Sequence, residues 1–135
     1  MDRLILVGGA VLIAGVVALV LGRRTDPPDS NTHNVPRLLD RADFTKPDVP
    51  WLVAVFTSAT CNTCAGVLER ARHLASEDVA VQELEVTSAK AIHERYLIDA
   101  VPTLVIADTS GTVQQAFLGP VTAAELWSAL AELRG

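Results

Sequence analysis

Cys61 and Cys64 are the only cysteines of the chain, and they stand as Cys-x-x-Cys at the junction of two opposed patterns. Before them, Trp51-Leu52-Val53-Ala54-Val55-Phe56 is a continuous apolar run of strand length. After them, Cys64-Ala65-Gly66-Val67-Leu68-Glu69-Arg70-Ala71 favours helix despite its glycine. A strand that feeds a helix at this point puts Cys61 near a helix N-terminus, where unpaired backbone N–H groups and the positive end of the helix dipole favour thiolate over thiol. A thiolate is the species that attacks a disulfide. Cys64, one helical turn on, is in reach of the resulting mixed disulfide and can release the product as a dithiol, leaving Cys61–Cys64 oxidised.

Two other uses of such a pair fit less well. A zinc site takes about four ligands, and His33, His73 and His93 lack the paired spacing that would complete one, so no metal is expected. A purely structural disulfide would close too short a loop to remove much entropy from the unfolded chain.

The 135 residues hold one ordinary domain, and the first part of the chain is not domain. Leu4 to Gly22 carries no charge and has about the length that crosses a bilayer's hydrocarbon core, and Arg23 and Arg24 close it. A cleaved signal peptide would have an apolar stretch of only about 7–15 residues and a small-x-small site, so an uncleaved anchor is the expectation. The organisation expected is a tail over 1–3, a transmembrane helix over 4–22, a linker over 23–36 rich in proline and short polar residues, and a folded unit over 37–135. The net charge of −5 offers no basic footprint for nucleic acid.

Within the folded unit the patterns predict a short element near Leu38–Phe44, then strand 51–57, helix 61–75, strand 79–86, helix 88–97, strand 103–107, strand 112–117 and helix 123–133. Ser88 suits an N-cap, Asp108-Thr109-Ser110-Gly111 a hairpin turn, and Thr122-Ala123-Ala124-Glu125 a capping box. Strands joined through helices imply parallel pairing, and the late pair joined by a tight turn implies an antiparallel edge. The fold class is therefore α/β, a mixed central sheet flanked by helices. Trp51, Leu126, Trp127 and Leu130 read as core or core-edge. His73 and His93, among charged neighbours, read as solvated, as does His33 in the linker.

Val53-Ala54-Val55-Phe56-Thr57-Ser58-Ala59-Thr60-Cys61-Asn62-Thr63-Cys64, followed by Arg95-Tyr96-Leu97-Ile98-Asp99-Ala100-Val101-Pro102-Thr103-Leu104-Val105-Ile106 and Gly119, resembles the thioredoxin family in a membrane-tethered bacterial form. The resemblance covers nearly everything from about residue 38 onward. It implies a nucleophilic Cys61, a resolving Cys64, and a cis Val101–Pro102 bond beside the sulfurs whose backbone pairs with an extended substrate. Departures from the family pattern are equally plain. Thr60 replaces the usual tryptophan, Asn62-Thr63 the usual Gly-Pro, and Glu69 a helix-kinking proline. The family's buried aspartate aligns with Val55 and its lysine partner with Glu83, which makes Glu83 a proton acceptor for Cys64 or a solvated strand residue beside Glu85.

The expected activity is thiol–disulfide exchange on protein thiols and disulfides, as a reductant, with the Cys61–Cys64 pair in place of any cofactor. The alternative is a non-catalytic module that offers its Val101–Pro102 groove to a membrane partner. Sidedness is divided: Arg23, Arg24, Arg37 and Arg41 against Arg3 and the terminal amine favour a cytosolic domain, whereas the tethered members of the family mostly face outward. The expectation taken is an extracytoplasmic domain. The cysteine pattern is neutral on this point, because redox-active pairs occur in reducing and oxidising compartments alike.

Overall fold

A computed structural model describes residues 33–135, which form one compact unit. The expected membrane helix over 4–22 lies outside the described residues, and among those described no helix is long and apolar enough to cross a membrane. A single 3-10 turn, Arg41–Asp43, leads into strand β1 (Trp51–Thr57). Then come α1 (Cys64–Arg72), β2 (Val79–Glu85), α2 (Lys90–Arg95), β3 (Thr103–Ala107), β4 (Val113–Leu118) and α3 (Ala123–Arg134).

The four strands make one mixed sheet in the order β2-β1-β3-β4. β1 and β2, joined through α1, pair in parallel, whereas β3 runs antiparallel to β1 although it too follows a helix. Much of the connection 86–102 is spent on α2 and the turns around it, which pack against the Phe56 face, and the chain re-enters the sheet at the end it left. Thr103 consequently starts β3 opposite Phe56, at the end of β1 from which the cysteine loop departs.

Side-chain alternation sorts the core into two layers. Val53 and Val55 face α1 and α3, packing with Val67, Leu68, Ala71, Leu126 and Leu130. Leu52, Ala54 and Phe56 face the other way, packing with Leu39 and Phe44 and with Ile92 and Tyr96 of the α2 region. β1 is buried on both faces, which is why it reads as an unbroken apolar run rather than an alternating one.

The capping box forms as expected: Thr122 Oγ1 accepts from Glu125 N–H at 3.2 Å, and Glu125 Oε2 accepts from Thr122 N–H at 2.8 Å. The turn at Asp108–Gly111 is also present, with Asp108 Oδ1 accepting from the N–H groups of Ser110 and Thr112. Three readings are corrected. Ser88 does not cap α2. Instead the Glu85 carboxylate accepts from the Thr87 and Ser88 N–H groups, and the Ser88 hydroxyl donates back to the Glu85 carbonyl. His93 is buried, not solvated: its Nε2 bonds Leu84 O at 2.7 Å and its ring meets Phe56 edge-on at 5.3 Å. Its charged neighbours Glu94 and Arg95 sit on other faces of α2, since adjacent helical residues point about 100° apart. For the same reason Trp127 is half exposed while Leu126 and Leu130, four apart, face the core.

The chain enters the unit through Asn34. Its N–H donates to Asp99 Oδ1, and its amide donates to the Tyr96 and Leu97 carbonyls at the end of α2. His33 is exposed there, with Nδ1 3.6 Å from Asp99.

Candidate active site

β1 delivers the chain to the sheet's end at Thr57, and Ser58 turns it: Ser58 O accepts from Cys61 N–H at 3.1 Å, and its hydroxyl lies 3.1 Å from that of Thr60. Cys61 and Cys64 are joined as a disulfide with their α-carbons 5.5 Å apart. α1 starts at Cys64 rather than at Cys61, because Asn62 and Thr63 continue the turn. Thr63 is the N-cap residue but makes no side-chain cap bond; its hydroxyl lies 3.7 Å from Cys61 Sγ instead. Cys61 is half-buried just ahead of this helix end, and Cys64 is 3 % exposed.

The Val101–Pro102 bond is cis. Register places it at the cysteine end of the sheet, one residue before Thr103 opposite Phe56. The loop is held from two sides, since Gly119 N–H donates to Pro102 O at 2.9 Å and the Thr103 hydroxyl donates to Ala100 O at 2.7 Å. Pro102 is buried and Val101 half-buried.

A cavity of about 260 Å³ opens beneath the disulfide, lined by Cys61, Cys64, Thr57, Leu68, Glu83 and Glu85 among others. The parallel register sets both carboxylates there: Glu83 lies beside Val55 and Glu85 beside Thr57, on the α1 face of the sheet. Glu83, singled out in the sequence, has 34 % of its side chain exposed and lies 3.9 Å from Arg72 of α1. Glu85, named from the sequence only as its neighbour, is the more enclosed. One oxygen accepts from Thr87 and Ser88 N–H at 2.9 and 3.1 Å, and the other is buried without a partner. The Ser88 N–H, more than any other group, holds the Glu85 carboxyl below the usual carboxylate range, against the opposing effect of burial. Period-two spacing along Val79, Val81, Glu83 and Glu85 was the signal that could have placed both carboxylates on one face.

The thioredoxin family pattern matches residues 41–132. The chain belongs to the thioredoxin family. Solved structures agree in fold. A mutant thioredoxin from Halobacterium salinarum NRC-1 superposes with a TM-score of 0.57 at 24% identity, over 64% of this chain and 76% of that one. A chloroplastic thioredoxin z gives 0.56 at 18%, over 63% and 79%. A malarial protein gives 0.54 at 10%, over 62% and 96%. No curated protein matches the chain. A thioredoxin domain with Cys61 and Cys64 in disulfide contact is consistent with a thiol–disulfide oxidoreductase.

Proposed function

We propose that the protein is a membrane-anchored thiol–disulfide oxidoreductase that reduces protein disulfides. The observation that carries the reading is the disulfide of a half-buried Cys61 with a buried Cys64, set at an uncapped helix start in a thioredoxin-family domain. Once an electron donor has reduced the pair, Cys61 attacks the substrate disulfide. Its exposure gives access, and the helix end stabilises its thiolate. One substrate sulfur leaves and the other stays on Cys61 as a mixed disulfide. Cys64 then attacks the Cys61 sulfur, forming Cys61–Cys64 and releasing the second substrate thiol, so two electrons pass from protein to substrate. The backbone at Val101 and Pro102 binds the extended chain around the substrate cysteine.

The uncharged run Leu4–Gly22 supports the anchor, and the domain faces outward with Arg3 holding the N-terminus inside. An insulin-reduction assay with the full chain and dithiothreitol tests the activity. Acceleration above the dithiothreitol background is the expected result, and its absence would favour a binding module that uses the Val101–Pro102 groove. A membrane-impermeant maleimide on intact, mildly reduced cells tests sidedness, and labelling of Cys61 only after lysis would put the domain in the cytosol.

A further inference from the structure

Among the described residues two buried side-chain polar atoms lack a hydrogen-bond partner, Arg41 Nε and Glu85 Oε1, and only the second belongs to the cavity of the cysteines. An unpaired acceptor kept out of water is costly unless it is used. The chemistry of the site needs such a group. Cys64 is 3 % exposed, so bulk water is not at hand to take its proton. A thiol must give up its proton to attack the mixed disulfide. Val55, beside Glu83 on the neighbouring strand, has no titratable group to offer. Glu83 is a third exposed and lies towards Arg72. Glu85 has one oxygen fixed by the turn after β2 and the other without a hydrogen-bond partner, and the Ser88, Thr87 and Ala59 N–H groups favour its ionised form, the form that can accept a proton.

We propose that Glu85 takes the proton of Cys64 on its unpartnered oxygen as Cys64 attacks the mixed disulfide on Cys61. The inference rests on the thiol–disulfide reading above. In the step the Cys64 S–H bond breaks and the proton passes to Glu85. The Cys64–Cys61 bond forms, the bond from Cys61 to the substrate sulfur breaks, and that sulfur leaves with the electron pair and takes up a proton. The charged and titratable groups around Glu85 are Cys61, Cys64 and Glu83 in the cavity, with Arg72 of α1 beyond Glu83.

The reduced full chain, in mild detergent, is mixed with dithiobis(nitrobenzoate) in a stopped-flow instrument. The first coloured thiolate released reports attack by Cys61, and the second reports resolution by Cys64. Glu85→Gln keeps the shape and an acceptor for the Thr87 and Ser88 N–H groups, so the first release serves as a control for folding. The expected result is a second release slowed about a hundredfold relative to the first at pH 7, at the lower end of general-base contributions. The deficit should close as pH rises past about 8.5, where the thiol ionises unaided. Glu85→Asp, which restores a carboxylate, should regain part of the rate. An unchanged second release in Glu85→Gln, or equal slowing of both releases, would overturn the proposal. Slowing in Glu83→Gln but not in Glu85→Gln would return the role to Glu83. A wild-type chain that shows no second release would instead overturn the thiol–disulfide reading itself.

Discussion

Replacing Gly111 by alanine should be among the most damaging single changes in the domain, although it adds one methyl group far from the cysteines. Gly111 closes the turn before β4 with φ at +87°, and its carbonyl accepts from Leu39 N–H at 2.8 Å. A β-carbon there would overlap the Leu39 carbonyl oxygen, a backbone atom that cannot swing aside. The left-handed conformation costs a non-glycine residue about 1–2 kcal/mol. Pushing Leu39 away forfeits the two hydrogen bonds that make up the Leu38–Thr112 bridge, Leu39 N–H to Gly111 and Val113 N–H to Arg37, at about 1 kcal/mol each. The sum is about 3–4 kcal/mol, a large part of the roughly 5–15 kcal/mol that holds a domain folded. Gly119 is the internal control: its φ is +79°, but a β-carbon there meets nothing within 4 Å. Gly119→Ala should therefore cost the conformational part alone, about 1–2 kcal/mol. At about 4–8 °C per kcal/mol for a domain of this size, thermal melts followed by circular dichroism should separate the two variants by 10 °C or so. Equal melting temperatures would refute the claim that the Leu39 contact is what demands glycine at 111.

Alkylation of the reduced protein near neutral pH should modify Cys61 well before Cys64, because only Cys61 is accessible, and peptide mapping with mass spectrometry reads the order. Cys64→Ser should accumulate mixed disulfides on Cys61, whereas Cys61→Ser should accumulate none, as non-reducing gels would reveal. His93→Ala should cost about 2–4 kcal/mol by urea denaturation, since it unpairs the Leu84 carbonyl and opens a gap beside Phe56; a loss below about 0.5 kcal/mol would mean a surface residue. Asp108 is held below the usual carboxylate range first by the Ser110 hydroxyl, with Gln114 and the Thr112 and Ser110 N–H groups adding to it. Its folded pKa thus lies below the unfolded value near 3.9, so its stabilisation is complete above that value and is lost as pH falls through the folded pKa. Urea midpoints of Asp108→Asn should lie below wild type at pH 7 and converge with it in acid.

What could be read from the chain was what short-range chemistry decides. The cysteine pair, the apolar run of β1, the Thr122–Glu125 box and the Asp108 turn each depend on residues a few positions apart, and each is in the structure. The misreadings share a cause. His93 was judged by its charged neighbours, Trp127 by its own apolar character and Ser88 by its capping chemistry, yet their surroundings are set by which face of a helix meets the core and by a carboxylate that reaches the turn first. Asn34, placed in a linker by its company of prolines and polar residues, is held by the end of α2, 62 residues away.

The carboxylates illustrate the same limit at the site itself. The resemblance to the family implies that Val55 stands where the family has an acid on β1 and that Glu83 brings one to β2, but a resemblance compares positions one at a time. In the parallel register, moving from β1 to β2 leaves the acid on the same face of the sheet, and a further step of two residues keeps that face while advancing about 7 Å towards the cysteine end. Glu85 occupies that second position, beside Thr57, the last strand residue before the loop that carries Cys61. The role proposed for Glu85 would thus move the acid from the central strand to the edge strand without changing the layer it serves. Which of two candidate acids is the more enclosed was decided by the turn after β2, whose N–H groups Glu85 can reach and Glu83 cannot.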